Sequence, residues 1–385
     1  MLRTRERAGH AVVMRPLPTG AVPRAHPFEI PPVLALKTTD ASAEPLQRRM
    51  VLAGPAVAAA SMLAAVIATQ ASGVPLRDPD GVVGRRLLIV FAFVGGLVAL
   101  DALVRAARLS GRRLPTLTAL AIVRRERWTV RRGLIVFSAL VSFYVTYLAY
   151  RNLKSVVPLL RPGDLFDHQL SELDRDLFAG SDPAALLHAV LGTGAATHVL
   201  SAAYMLFFLF IPGTLAFALV YSVNLRAGIF YVTAQSLNWL IGAGSYFLLP
   251  SLGPVYWDPA AFSDLPASGV STLQQILLDQ RIEFLADPAA GSAQSIAAFS
   301  SLHVSIFLTG ALAAHVLGLG RRVQLAAWIL VGLTTLATIH LGWHYVIDDV
   351  GGVVVAVMAV GLAGTLTGFE VRPARRMSAP KAATA

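Results

Sequence analysis

Two cations seven residues apart, a Ser-x-His and a His followed four residues later by an Asp have types and spacing that could do chemistry. Lys154 and Arg161 lie in KSVVPLLRP at 154–162, Ser301 and His303 in SSLH at 300–303, and His344 and Asp348 in HYVID at 344–348. Together they suit attack on a phosphorus atom. Helical residues i and i+4 share a face, so Asp348 can hold one imidazole nitrogen of His344 and leave the other as a nucleophile. Asp349 is a competing partner with a different facing. His303 suits general acid duty, protonating a departing alkoxide and then activating the acceptor. If their segment is helical, Lys154 and Arg161 stand about two turns apart on one side. Lys would act there as a point charge and Arg as a planar fork for phosphate oxygens. Pro158 between them would kink or start a helix. Ser301 either donates to a phosphate oxygen or caps a helix. Taken singly, each piece has a plainer reading: a buried His–Asp pair, a helix-end His, two interface cations.

The elements that must position these groups are apolar. Hydrophobic residues make up 55% of the 385 positions and charged residues 14%, against about 25% charged in a soluble domain. A spanning helix needs roughly 20 mostly apolar residues. Eight stretches qualify, at about 51–70, 87–107, 133–150, 197–222, 227–249, 299–318, 323–343 and 349–368. The fold class is therefore an all-α integral membrane protein. The chain has no cysteine, which excludes disulfides, thiolate catalysis and cysteine-ligated metals. No short apolar core with a cleavage site follows the early arginines, so no cleaved signal peptide is expected.

The net charge of +10 does not point to nucleic acid, because the basic residues sit between the apolar stretches. It sets orientation instead. Lys and Arg gather in the N-terminal tail, in 112–132, at Arg226, at Arg321 and Arg322, and after the last stretch. Eight spans place all of these on one side, the cytoplasm, with both termini. Arg85 and Arg86 are exceptions that can snorkel to the interface. Segments 71–86, 151–196 and 250–298 then lie outside, and all three chemical pieces come to the outer surface of the cell (inner) membrane.

Other features have mainly structural readings. Residues 164–179 place Leu165, Phe166, Leu170, Leu173, Leu177 and Phe178 at helical spacing opposite acids, as in a helix lying on the membrane surface. Ser181-Asp182-Pro183 predicts an N-cap opening a second short helix. Asp101 and Arg105 read as a self-neutralised pair, and Gln235 and Asn238 as interhelical hydrogen-bonding residues. His315, twelve residues beyond His303, is too deep for catalysis.

In this membrane setting the three pieces resemble the signatures of the type-2 phosphatidic acid phosphatase superfamily. KSVVPLLRP matches the first, a Lys, six variable residues and Arg-Pro. The second, Pro-Ser-x-His, is met by Ser300-Ser301-Leu302-His303 with Ser300 in place of the Pro. In the third, His344 and Asp348 fit, while Ala337-Thr338 stands where the family has Ser-Arg. The surrounding text, AAFSSLHVS and HLGWHYVIDDVGG, is most similar to the branch of inositol phosphorylceramide synthases and sphingomyelin-synthase-like transferases.

The resemblance implies a six-helix catalytic bundle over 133–370, preceded by two extra transmembrane helices and a basic loop over 47–132. Disordered cytoplasmic tails at 1–46 and 371–385 complete the expected organisation. It also implies a two-step reaction without metal or cofactor, indifferent to EDTA. His344 would form a phosphohistidine, Asp348 would orient it, His303 would protonate the leaving group, and Lys154, Arg161 and Ser301 would hold the phosphoryl oxygens. The missing Arg has two accounts. A diester carries one charge where a monoester can carry two, so Thr338 signals a diester headgroup such as inositol phosphate. Alternatively Arg281 or His340 supplies the lost contact.

The expected substrate is a phospholipid or polyprenyl phosphate among membrane lipids, with headgroup transfer and simple hydrolysis nearly balanced. The oligomeric state is left open. A lipid transporter suits eight spans too, and the altered signatures suit an inactive scaffold. Gathering of all the reactive groups at one surface favours an enzyme.

Overall fold

The computed structural model describes residues 48–79, 84–85, 87–111, 114–222, 224–289 and 293–371. Apart from Val371, the expected tails at 1–46 and 371–385 fall outside the described residues, as does Arg86. No strand occurs among the described residues. The chain runs as α1 (Arg48–Ser72), α2 (Leu87–Ser110), α3 (Leu117–Glu126), α4 (Val130–Leu160), α5 (Asp167–Leu177), α6 (Pro183–Leu191), α7 (Ala195–Met205) and α8 (Phe207–Ala216). It continues through α9 (Leu225–Leu248), α10 (Pro254–Trp257), α11 (Gly269–Ala286), α12 (Leu302–Val316), α13 (Arg321–His340) and α14 (Val346–Thr367).

A helix stands at each of the eight apolar stretches, but only six are long and apolar enough to cross a membrane: α1, α2, α4, α7–α8, α13 and α14. The other two belong to the interior of the bundle. Helix α12 has 15 residues, about 22 Å at 1.5 Å per residue, against a hydrocarbon core of about 30 Å. Helix α9 is long enough at 24 residues but carries Thr233, Gln235, Ser236, Asn238 and Ser245, all buried. Gln235 and Asn238 face α12. Gln235 Nε2 donates to the Ile306 carbonyl at 3.2 Å, Asn238 Nδ2 to Thr309 Oγ1 at 2.9 Å, and Ser305 Oγ to Asn238 Oδ1 at 2.5 Å. Gln235 and Asn238 thus bind helix to helix, as their types predict.

The two leading helices are placed differently. Helix α1 packs along α4 and also meets α9 and α14, burying Met50, Ala53, Val57 and Ala58. Helix α2 buries only Val94, Asp101 and Ala106 and leans chiefly on α3. Asp101 anchors it. Its carboxylate accepts from Arg105 Nε at 2.9 Å, Arg127 Nε at 2.7 Å and Trp128 Nε1 at 3.0 Å. Arg127 in turn donates to the Val220 carbonyl at 2.8 Å, which ties α3 to the turn after α8. The expected Asp101–Arg105 pair is thus one arm of a larger hub.

Helix α4 runs past Pro158 to Leu160, which corrects the expectation of a new helix starting there. Proline has no N–H to offer the carbonyl one turn back, here that of Lys154. Gln294, fully buried, supplies the missing donor: its Nε2 lies 2.8 Å from the Lys154 oxygen and 3.3 Å from that of Ser155.

Helix α5 forms within 164–179, as the spacing predicts. Its buried face is Asp167, Leu170 and Asp174, whereas Leu173 and Leu177 are exposed. Periodicity marks an amphipathic helix but does not say which face is turned inward, and here two of the acids are. Helix α6 opens as predicted, with Asp182 Oδ1 accepting from the Ala185 N–H at 3.0 Å and Pro183 in the first turn.

Candidate active site

His344 sits in the short turn between α13 and α14, so its position depends on both helices and on whatever packs against the turn. The loop after α9 does so at close range. A β-carbon on Gly253 would lie 2.4 Å from the Trp343 carbonyl oxygen, so only glycine permits the approach. The Val255 N–H also donates to the Gly342 carbonyl at 2.8 Å.

Asp348, fully buried in the first turn of α14, lies with Oδ2 3.4 Å from His344 Nδ1 and accepts the Tyr345 N–H at 3.0 Å. The pair meets as expected, but His344 precedes the helix, so they join across the first turn of α14 rather than along one helical face, and the contact favours the tautomer with the proton on Nδ1. Asp349 faces elsewhere, accepting from Thr338 Oγ1 at 2.9 Å. Burial drives the His344 pKa down to about 4, with nearby Lys154 acting in the same sense against Asp349 and the Ala298 carbonyl. The ring is neutral at pH 7, as an attacking imidazole must be.

His303 enters from the first turn of α12. Its ring stacks on Tyr204 with centroids 4.2 Å apart and lies 4.1 Å from Phe207, while its centroid is 6.3 Å from that of His344. Its buried Nε2 has no hydrogen-bond partner among the described residues. Ser301 caps α12, accepting from the Val304 N–H at 3.4 Å, and its own N–H donates to the Asp348 carbonyl at 2.9 Å. Gly352 allows that junction, since a β-carbon there would come within 2.4 Å of the Ser301 carbonyl oxygen.

Lys154 approaches from α4 with its ammonium 4.8 Å from the centre of the Tyr246 ring and 5.8 Å from that of Tyr150. Such contacts hold a cation without cancelling its charge. Lys154, His303 and His344 line one cavity of about 310 Å³, whose walls are largely aromatic: Tyr150, Tyr204, Phe207, Trp239, Tyr246 and Trp343 among them. A lysine ammonium and two imidazoles, one of them backed by a carboxylate, thus share one chamber.

The structure does not bring every expected residue there. Arg161 leaves α4 as its C-cap, with Nε 2.7 Å from Asp164 Oδ2 and Nη1 on the Phe247 carbonyl. It lines a separate pocket of about 80 Å³ with Arg281; the shared face expected for Lys154 and Arg161 is lost because the helix ends between them. His340 is fully buried, with Nε2 2.9 Å from Thr197 Oγ1 and its carbonyl contacted by His188. Neither His340, Ser301 nor Thr338 lines the cavity.

Arg151, one turn before Lys154, does line it. Sequence reasoning passed over this residue because it lies outside the first signature. An arginine three positions before the signature lysine was the available signal, since i and i+3 share a helical face. Among the described residues no three His, Asp or Glu side chains converge as metal ligands.

No curated protein and no solved structure matches the chain. Residues 168–362, about half of the chain, match the PAP2 superfamily. The matched region contains both histidines and Asp348 and begins after the KSVVPLLRP segment. Members of this superfamily are generally phosphatases, which supports an enzyme of phosphatase type. With an all-helical bundle and six helices fit to span a membrane among the described residues, and the matched region enclosing His303, His344 and Asp348, the chain belongs to the PAP2 superfamily.

Proposed function

We propose that the protein cleaves a lipid phosphate ester at the outer face of the inner membrane through a phosphohistidine on His344. One observation carries this reading: Lys154, His303 and His344 line a single cavity, and Asp348 stands 3.4 Å behind His344. The neutral imidazole of His344 attacks phosphorus, and the phosphorus–oxygen bond to the leaving group breaks. His303 enters the step as imidazolium, against the burial that holds its pKa down, gives its proton to the departing alkoxide and is left neutral. A water or alcohol then yields a proton to His303 and attacks phosphorus, and the phosphorus–nitrogen bond breaks to free His344. Lys154 and Arg151 neutralise the charge gathering on the equatorial oxygens, where electrostatic stabilisation has most effect.

Within this reading we favour transfer of a diester headgroup such as inositol phosphate over monoester hydrolysis. Thr338 spends its hydroxyl on Asp349, so position 338 adds no cation and the cavity wall carries two. That suits a singly charged phosphodiester better than a dianion. The outer-face placement rests on the distribution of Lys and Arg among the loops.

The test is to incubate detergent-purified protein with phosphatidylinositol or phosphatidic acid, each labelled at phosphorus, and quench early. Mass spectrometry should find an acid-labile phosphoryl adduct on His344. Rapid phosphatidic acid turnover with no diester turnover would remove the headgroup preference. An adduct on another residue would remove the nucleophile assignment.

A further inference from the structure

Helix α5 buries Asp167 and Asp174 beside Leu170 and exposes Leu173 and Leu177, an unusual placement of acids for a surface helix. The buried acids have specific partners. Asp174 accepts the N–H of Val346 at 2.7 Å and that of Ile347 at 3.1 Å. These are the first two residues of α14, whose N–H groups have no acceptor within their own helix. A cap normally comes from the residue just before the helix. Here that residue is Tyr345, and the carboxylate arrives from 172 positions away in the chain. Asp167, also on the inward face, accepts the N–H of Leu252 at 2.9 Å, the N–H of Gly253 at 2.9 Å and the hydroxyl of Tyr345 at 3.2 Å.

These bonds bracket His344. Asp174 fixes the peptides that follow it. Asp167 fixes the 252–253 loop, which presses on Trp343 and Gly342 just before it, and reaches Tyr345 beside it. Asp348, the partner of His344, lies one residue beyond the pair of N–H groups that Asp174 holds. Burial pushes both α5 carboxyls up and the donated N–H groups oppose this.

We propose that Asp167 and Asp174 are positioning residues, which hold the His344–Asp348 pair in attacking geometry by clamping the backbone on both sides of His344. The proposal rests on His344 being the nucleophile. Misplacing a reacting group by about 1 Å can cost on the order of 10²-fold in rate, so the clamp acts on kcat while leaving substrate affinity to the cavity walls.

The experiment compares the wild type with Asp174→Ala, Asp174→Asn, Asp167→Asn and the control Glu172→Gln, all as full chains in detergent. Glu172 is on the same helix but 62% exposed, paired only with His168. Two readouts are taken: turnover of labelled phosphatidylinositol and phosphatidic acid, and carbethoxylation of His344 by diethyl pyrocarbonate followed by mass spectrometry. The expected result for Asp174→Ala is a loss of kcat on the order of 10²-fold with KM within about twofold. His344 labelling should quicken severalfold while that of His168 stays constant. Asp174→Asn keeps one acceptor oxygen and should recover part of both effects; Glu172→Gln should change neither.

Loss of kcat only in proportion to the folded fraction, with His344 labelling unchanged, would overturn the proposal. If Asp174→Ala does not fold, Asp174→Asn and Asp167→Asn decide by the same criteria. The labelling arm needs no turnover, so altered His344 reactivity alongside an active His344→Ala variant would sink the nucleophile reading and leave the clamp standing.

Discussion

Asp101 and Asp348 are both buried carboxylates on helices, and their surroundings are opposite. Asp101 takes three donors, two of them guanidinium groups, all within 3.0 Å. Asp348 uses Oδ2 for a backbone N–H and for the longer contact to His344, while its buried Oδ1 has no partner among the described residues. Buried polar groups are nearly always satisfied, so an exception calls for an explanation. A saturated carboxylate holds helices together and has nothing left to give. An unsaturated one keeps capacity for a ring whose charge changes during reaction. The contrast separates a joint of this molecule from its proposed working site, although both read alike as an acid in or beside an apolar stretch.

The strongest way to break the contrast is to remove what Asp348 serves. His344→Ala should lower turnover by on the order of 10⁴-fold or more, with helicity and detergent elution unchanged; retained turnover would dismiss the site. Asp348→Asn should cost on the order of 10²- to 10⁴-fold in kcat with little change in thermal midpoint. Asp101→Asn should do the reverse, losing about 3–5 kcal/mol of stability while turnover per folded molecule holds. Equal behaviour of the two variants would show that saturation does not sort them.

The two arginines offer a finer division. Arg151→Gln should lower kcat by about 10²-fold, as expected for loss of one charge-stabilising group. Arg161→Gln should cost less, because its guanidinium is engaged by Asp164 and Phe247. The opposite order would put Arg161 on the phosphate, as the family signature implies. Acidity gives a gentler test. His344 should gain its proton only near pH 4, so the limb of kcat/KM that reports the nucleophile should fall there and not near 6.5. Smallest of all, Ser301→Ala should cost about 1 kcal/mol of stability through the lost cap, measured by thermal melting.

Much of this arrangement was legible before any coordinates. The helix at each apolar stretch, the Asp182 cap, the interhelical roles of Gln235 and Asn238, and the pairing of His344 with Asp348 all follow from local spacing. What escaped depends on contacts between distant segments. Hydropathy marks α9 and α12 as apolar helices but does not name the distant partners that bury them inside the bundle. Periodicity cannot tell that Asp167 and Asp174 face inward, because the partners that attract them are N–H groups of α14 and of the loop after α9. Arg161 continues the Lys154 face only while the helix lasts, and Pro162, which disfavours the α conformation at the residue before it, was the overlooked mark of its end at Leu160. Arg151 became visible once the cavity wall was assembled.

Gln294 has a consequence larger than its size. One carboxamide touches the backbone of Lys154 and, through its oxygen 2.8 Å from the Ile296 N–H, the strand of chain that feeds Ser301 and His303 into α12. It works as a shared ruler: the cation and the proton donor are indexed against the same planar group, although the chain separates them by more than a hundred residues. Insertions or deletions between 294 and 303 would therefore put the donor out of step with the charge it serves, even if every helix formed.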